Sequence, residues 1–313
     1  MLTVAAPALG EERVGDRVDT VPRWFRDAIA VPAEDREIEV EGCRIHYLAW
    51  GARGRPGLVF VHGGAAHAHW WSFIAPLFLS EYRVAAIDLS GHGDSGRRAE
   101  GYPRDTWARE VRAVAADAGF DGPPIVVGHS MGGAVTITAA AAFGQELAGA
   151  VILDSPVRRP DPEAEEGAFG KSFRNPKVYP DVDTALKHFR SVPSQPSSLP
   201  FIVDHVARHS LVAVPGGYTW KFDPLIFRRE TPRGTHELLP QVRCRVALFR
   251  SEHGLVTPDI GEYMYELLGR NAPVIEIPDA WHHMMLDQPL PLVTGLRTLF
   301  ADWEHSVPLA RRS

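Results

Sequence analysis

Residues 124–143 read PIVVGHSMGGAVTITAAAAF. A run of β-formers, Ile125-Val126-Val127, meets Ser130 between Gly128 and the Gly132-Gly133 pair, and a run rich in alanine follows. β-Branched residues suit a strand, and small residues suit a helix packed close against one. Few folds accommodate a strand that turns into a helix at a single residue. Glycines two places either side of Ser130 remove the Cβ atoms that would clash in such a turn. The serine is then held in a strained backbone conformation with its hydroxyl lifted above the sheet. Gly133 and Ala134 let the helix lie close to the strands. Ser130 is therefore read as a candidate nucleophile and not as a turn former.

The rest of the chain supplies the sheet that this turn requires. REIEVEGCRIHYLAWG (36–51) alternates apolar and polar residues about Glu41-Gly42 and reads as a β-hairpin. LVFV (58–61), the start of YRVAAIDL (82–89), IVV and AVIL (150–153) are short apolar runs suited to strands buried on both faces. Helical spacing is expected in 70–80, in 106–120 and in 131–143. This alternation predicts an α/β fold, a mostly parallel twisted sheet with helices on both faces.

From Val157 to Pro240 the rhythm breaks, with eleven prolines and a helix-like DVDTALKHFRSV at 181–192. It resumes in VRCRVALFRSE (242–252), DIGEYMYELLG (259–269), APVIEIPDA (272–280) and PLVTGLRTLFADW (291–303). The expected organisation is one core formed by 36–156 and 241–313. A largely helical cap is inserted at 157–240. An arm at 1–35 precedes the core, with a short helix at WFRDAI (24–29).

Bulk properties narrow the chemistry. A chain of 313 residues that is 45% hydrophobic and 23% charged can bury a large core. A net charge of −6 argues against a nucleic-acid partner, which would need a basic stripe. No run reaches the length of a membrane span, and MLTVAAPALG lacks the basic start of a signal peptide. The expectation is a cytoplasmic protein, monomer or homodimer, acting on a small molecule. Cys43 and Cys244 show no metal-ligand spacing and read as buried thiols. His67 and His69 lack a third ligand nearby in the chain, so no metal is expected there. Gly91-His92-Gly93-Asp94-Ser95-Gly96 matches a dinucleotide fingerprint, but RRAEGYPRD follows it instead of a helix, and no cofactor is expected.

Four segments in this order resemble the α/β-hydrolase fold family: VFVHGG (59–64), DLSGHGDS (88–95), GHSMGG (128–133) and DAWHHMMLDQP (279–289). The resemblance implies a nucleophile at Ser130. It implies a base at His282, seven residues before Pro289, with Trp281 in place of the usual glycine and His283 pointing away. It implies an oxyanion hole built from the N–H groups of Gly64 and Met131. The acid is open. The family's usual aspartate position is Gly254, within Ser251-Glu252-His253-Gly254. Asp154, at the end of AVIL, is one replacement; it stands where haloalkane dehalogenases and cofactor-free dioxygenases carry their acid. Glu252 is the other.

His129, Trp71 and Trp220 are expected to face the substrate. Phe173, Phe189, Phe201, Tyr218, Phe222 and Phe227 add aromatic surface to the cap, and GGYTWKFDP (216–224) reads as a pocket-facing loop. A serine at the elbow excludes aspartyl-ester chemistry. It implies hydrolysis of an ester, thioester or lactone of an apolar small molecule. Carbon–carbon bond hydrolysis, cofactor-free dioxygenation and a non-enzymatic small-molecule receptor are the alternatives.

Overall fold

The computed structural model describes residues 21–160, 176–227 and 234–306. Helix α1 is Arg23–Ile29. Strands β1 (Glu34–Val40) and β2 (Cys43–Trp50) form the antiparallel hairpin about Glu41-Gly42. Then come β3 (Gly57–Val61), β4 (Arg83–Ile87), α2 (Arg104–Asp117), β5 (Ile125–His129), α3 (Met131–Phe143) and β6 (Gly149–Leu153). The inserted segment carries α4 (Val182–Lys187), α5 (Pro200–His209), β7 (Leu211–Val214), β8 (Gly217–Trp220) and α6 (Thr235–Leu238). The chain closes with β9 (Arg245–His253), α7 (Pro258–Leu267), β10 (Val274–Trp281), α8 (Met284–Asp287) and α9 (Pro289–His305).

Eight strands form one sheet in the order β1-β2-β4-β3-β5-β6-β9-β10. β2 runs antiparallel to β4, and the pairings from β4 across to β10 are parallel. Strands β3 to β6 are buried along their whole length, as apolar strands between two helical layers must be. One face packs Phe60, Trp71, Phe73, Phe78 and Phe300 under α1 and α9. The opposite face packs Tyr47, Val59, Ile87, Trp107, Val111 and Val135 under α2 and α3. After β4 the chain crosses to the other side of β3 to enter β5. The carboxyl ends of β3 and β5 are therefore neighbours at a topological switch point, where open α/β sheets bind ligands.

The structure corrects three local expectations. Residues 70–80 do not form an α-helix. Two short 3₁₀ turns, Ala68–Trp70 and Ala75–Phe78, occupy the segment. Pro76 has no N–H to give to an α-helical ladder, and Trp71, Phe73, Ile74, Ala75 and Phe78 are all buried instead of lining one stripe. The helix expected at 181–192 ends at Lys187. The inserted segment is not uniformly helical, because β7 and β8 form a two-stranded antiparallel hairpin. GGYTWKFDP thus contributes a strand; Leu211-Val212-Ala213-Val214 and Tyr218-Thr219-Trp220 are β-formers, joined across Pro215-Gly216.

Helix α1 lays Phe25 against Phe73, Phe201 and His205, fastening the start of the described chain to the inserted segment. Neither cysteine forms a disulfide; Cys43 is buried and Cys244 half-buried. No helix among the described residues is long and apolar enough to cross a membrane.

Candidate active site

Ser130 joins β5 to α3 with φ 54° and ψ −118°. Such a conformation costs a side-chain-bearing residue about 1–3 kcal/mol, so the surroundings must impose it. They do so by close approach. A Cβ on Gly128 would lie 2.2 Å from the carbonyl oxygen of Gly132, and one on Gly132 would lie 2.3 Å from that of His62. The Ser130 N–H donates to the Leu153 carbonyl at 3.0 Å, which pins the turn to the end of β6.

His282 follows the last residue of β10 and reaches back over this turn. Its Nε2 lies 3.0 Å from Ser130 Oγ, and its Nδ1 lies 2.7 Å from Asp154 Oδ2. An ionised carboxylate can only accept, so Nδ1 carries the proton and Nε2 presents its lone pair to the hydroxyl. Asp154 directly follows the last residue of β6, at φ 41°, and is fully buried. Burial pushes its carboxyl up. The bond from His282 and the N–H groups of Leu255 (2.8 Å) and Val256 (3.1 Å) outweigh that, and the carboxyl sits below the usual carboxylate range. The side chain fills the space beside Gly254, where a Cβ would come within 2.4 Å of its oxygens. Gly254 is the position at which the family resemblance expects an aspartate. Here a carboxylate from the neighbouring strand takes that room.

Glu252 is not brought to His282. It is exposed, and its Oε2 accepts from the Asp279 N–H at 2.8 Å. His283 turns away from Ser130, donating from Nε2 to the Pro193 carbonyl at 3.1 Å. Its own N–H donates to Gln195 Oε1, a clasp between the histidine loop and the inserted segment. Asp287 accepts from the Trp281 N–H at 2.8 Å and closes the same loop.

Met131 is the first residue of α3, where backbone N–H groups have no acceptor within the helix. Gly64 follows β3 across from it; a Cβ there would meet the Phe227 ring at 3.2 Å and Met131 Sδ at 3.7 Å.

Two expected substrate-facing residues are structural instead. Trp71 is fully buried and stacks on Phe60 at 4.8 Å between ring centres. His129 is buried and donates Nε2–H to the His282 carbonyl at 2.8 Å, so it positions the histidine loop from below. Burial and the neighbouring His282 lower its pKa to about 3, which keeps the ring neutral. Alternation explains His129, which ends β5 one residue before Ser130 and so points to the opposite side. Trp71 lies in a turn between two buried residues, Trp70 and Ser72, where no period marks a face.

Trp220 does line a cavity, of about 280 Å³, together with Ala65, His67, Tyr179, Phe189 and Phe222. Lys177 and Arg190 also border it, and both are exposed. Lys221, on the same wall, is paired with Asp94 at 2.7 Å. Of the other cap aromatics, Phe201 packs against Trp24 and Phe25, and Tyr218 lies in β8. Phe173 lies outside the described residues.

His67 lines this cavity too. Its Nε2 lies 2.8 Å from Ser210 Oγ, and that hydroxyl donates to the Val206 carbonyl. His67 Nε2 is therefore the donor, and its buried Nδ1 has no hydrogen-bond partner among the described residues. Only the chain distance of 143 residues to Ser210 hid this pairing.

A mostly parallel α/β sheet, with a serine at a strand-to-helix turn and a histidine and an aspartate reaching it from later strands, defines a class of protein. The alpha/beta hydrolase family model matches residues 58–294, and the chain belongs to that family. Among curated proteins, protein phosphatase methylesterase 1 of Mus musculus is 32% identical over 163 residues, which is 47% of this chain and 42% of that protein. Lipase LipV of Mycobacterium tuberculosis is 37% identical over 121 residues, 36% of this chain and 42% of that one. Epoxide hydrolase 4 of Mus musculus is 30% identical over 121 residues, 38% of this chain and 33% of that protein. The match thus spans less than half the length of these relatives. Among solved structures, E-2-(acetamidomethylene)succinate hydrolase superposes with a TM-score of 0.75 at 18% identity, covering 86% of this chain and all of that one. The thioesterase domain from the curacin biosynthetic pathway superposes with a TM-score of 0.71 at 22% identity, covering 86% and 99%. At such identities the likeness is one of fold.

Proposed function

We propose that this protein is a serine hydrolase that cleaves an ester, thioester or lactone of an apolar small molecule through an acyl-enzyme on Ser130. The observation that carries the reading is the unbroken chain of contacts from Asp154 to His282 at 2.7 Å and from His282 to Ser130 at 3.0 Å, above a strained turn. The names of two partial relatives, a methylesterase and a lipase, agree with it.

In this reading His282 Nε2 takes the Ser130 proton as Oγ attacks the substrate carbonyl. Asp154 accepts from Nδ1–H throughout and stabilises the imidazolium that forms. The N–H groups of Gly64 and Met131 donate to the tetrahedral oxyanion, a pair whose loss typically costs about 10²–10³ in rate per donor. His282 then gives its proton to the leaving group. Water enters, His282 removes its proton, and hydroxide attack releases the acid and restores Ser130. The aromatic wall of Tyr179, Phe189, Trp220 and Phe222 receives the apolar part of the substrate.

The reading includes a division into a core (36–156 and 241–313) and a cap (157–240). It also includes action in the cytoplasm, as a monomer or homodimer, without cofactor or nucleic acid. A panel of p-nitrophenyl esters, thioesters and lactones tests it. Turnover by the wild type that falls to background in Ser130→Ala is expected, and equal turnover by both proteins would contradict it.

One observation favours a second reading. The acid stands at the end of β6, the position implied by the resemblance to cofactor-free dioxygenases. There the Ser130–His282 pair would deprotonate a heteroaromatic substrate. Oxygen uptake without ester turnover would select it.

A further inference from the structure

Away from Ser130, three histidines from two distant parts of the chain converge. His69 lies in the turn that follows Gly64, and His205 and His209 lie one helical turn apart on α5 of the inserted segment. One ring nitrogen of each lies within 4.8 Å of those of the other two. The His69 and His209 rings stack at 3.9 Å, and the His205 ring centre lies 4.5 Å from that of His209. All three are half-buried, so an ion could reach them from solvent.

The hydrogen bonds behind the cluster determine which nitrogens of His205 and His209 hold lone pairs. His209 Nδ1 lies 2.8 Å from the His205 carbonyl, which can only accept, so Nδ1 is protonated and Nε2 is left with its lone pair. His205 Nε2 lies 2.8 Å from Ser72 Oγ, whose own proton goes to the His69 carbonyl at 2.9 Å. His205 Nε2 is therefore the donor, and Nδ1 keeps the lone pair. A carbonyl or hydroxyl accepting the remote N–H is the arrangement that orients histidine ligands around a metal.

We propose that His69, His205 and His209 form a binding site for a divalent late transition metal such as zinc. Three neutral imidazoles suit such ions, and a fourth position would remain for water. Tetrahedral ligation at about 2.0–2.1 Å separates ligand nitrogens by roughly 3.3–3.4 Å, so the rings must draw in by about 1–1.5 Å, and the stacked His69 and His209 rings must tilt so that both in-plane lone pairs meet one ion. The bound ion would tie α5 to the turn behind Gly64, fastening the inserted segment to the sheet next to Ser130. This site does not depend on the hydrolase reading.

The test uses the whole chain freed of any purification tag and stripped with chelator, with ZnCl₂ alone as the probe. Equilibrium dialysis with metal analysis gives stoichiometry and affinity, and thermal melting gives stabilisation. Wild type, His69→Gln and His209→Gln are compared, because both substituted side chains reach solvent and the fold tolerates them best. The expected result is one zinc per chain in the wild type that each variant binds at least tenfold more weakly. Zinc should also raise the wild-type Tm by more than it raises either variant's. Zinc affinity and Tm shift in the wild type equal to those of either variant would overturn the proposal.

Discussion

Replacing Asp154 with asparagine keeps the shape of the side chain and removes its charge. The amide introduced there would either face His282 with a second donor or give up its backbone contacts, and the imidazole would lose the tautomer that leaves Nε2 free. We expect Asp154→Asn to lower kcat by about 10⁴-fold in the ester assay, with the protein still folded. Glu252→Gln should leave kcat within about threefold of wild type, since Glu252 only caps the exposed Asp279 N–H. The reverse ranking would return the acid's role to Glu252. Ser130 was legible from the chain through its glycine spacing, and His282 through the family resemblance of its segment, which puts the base seven residues before Pro289. The acid was not, because two carboxylates stood within reach of the same strand ends and only the register of β6 on β9 separates them. His129 and Trp71 were misread for a related reason, since facing direction is a tertiary property.

Among the elements, the end of β9 shows how one strand makes room for another's side chain. Gly254 has no Cβ, and Asp154 uses the vacated space. Gly254→Ala would place a methyl group 2.4 Å from the carboxylate oxygens and force the backbone or the carboxylate to move. A loss of about 1–3 kcal/mol of stability is expected, together with a fall in kcat. Chemical denaturation alongside kinetics checks both effects, and an unchanged kcat would show that the carboxylate does not need its present position. The strands and long helices of the sheet followed from periodicity. The segment 70–80 did not, because apolar residues buried on all sides give no face for a helical period to mark. The β7–β8 hairpin was hidden for a different reason: four-residue strands are too short for alternation to register against a proline-rich background. The histidine cluster joins a turn to a helix more than 130 residues away, so no local motif announces it.

At the scale of the molecule, buried histidines shape the response to acid. His62, His67, His69, His92, His129, His205 and His283 all have lowered pKa values, chiefly through burial. In the unfolded chain these rings take up protons near pH 6.5, while in the folded protein they resist until lower pH. The unfolded state therefore binds more protons below pH 6.5, and stability falls as pH drops through that value towards about 4. His46, Glu110 and Asp287 are raised and oppose this trend, Asp287 to about 6, but they are fewer. The expected outcome is a Tm that declines steadily from pH 7 to pH 4.5. A Tm that is flat or rising over that range would mean that the buried rings are already charged in the fold. The α/β sheet and the interruption between β6 and β9 were evident from the alternation of strand and helix. The cavity was not, because its wall combines Ala65 and His67 with residues of the inserted segment.

The central claim is that the Ser130 hydroxyl, activated by His282, forms a covalent bond with its substrate. Intact-mass analysis after treatment with a fluorophosphonate probe tests it most directly, followed by peptide mapping. The account predicts one adduct per chain, on the peptide containing Ser130, absent from Ser130→Ala and slow to form in His282→Ala. An unmodified wild type, or an adduct that persists in Ser130→Ala, would contradict it.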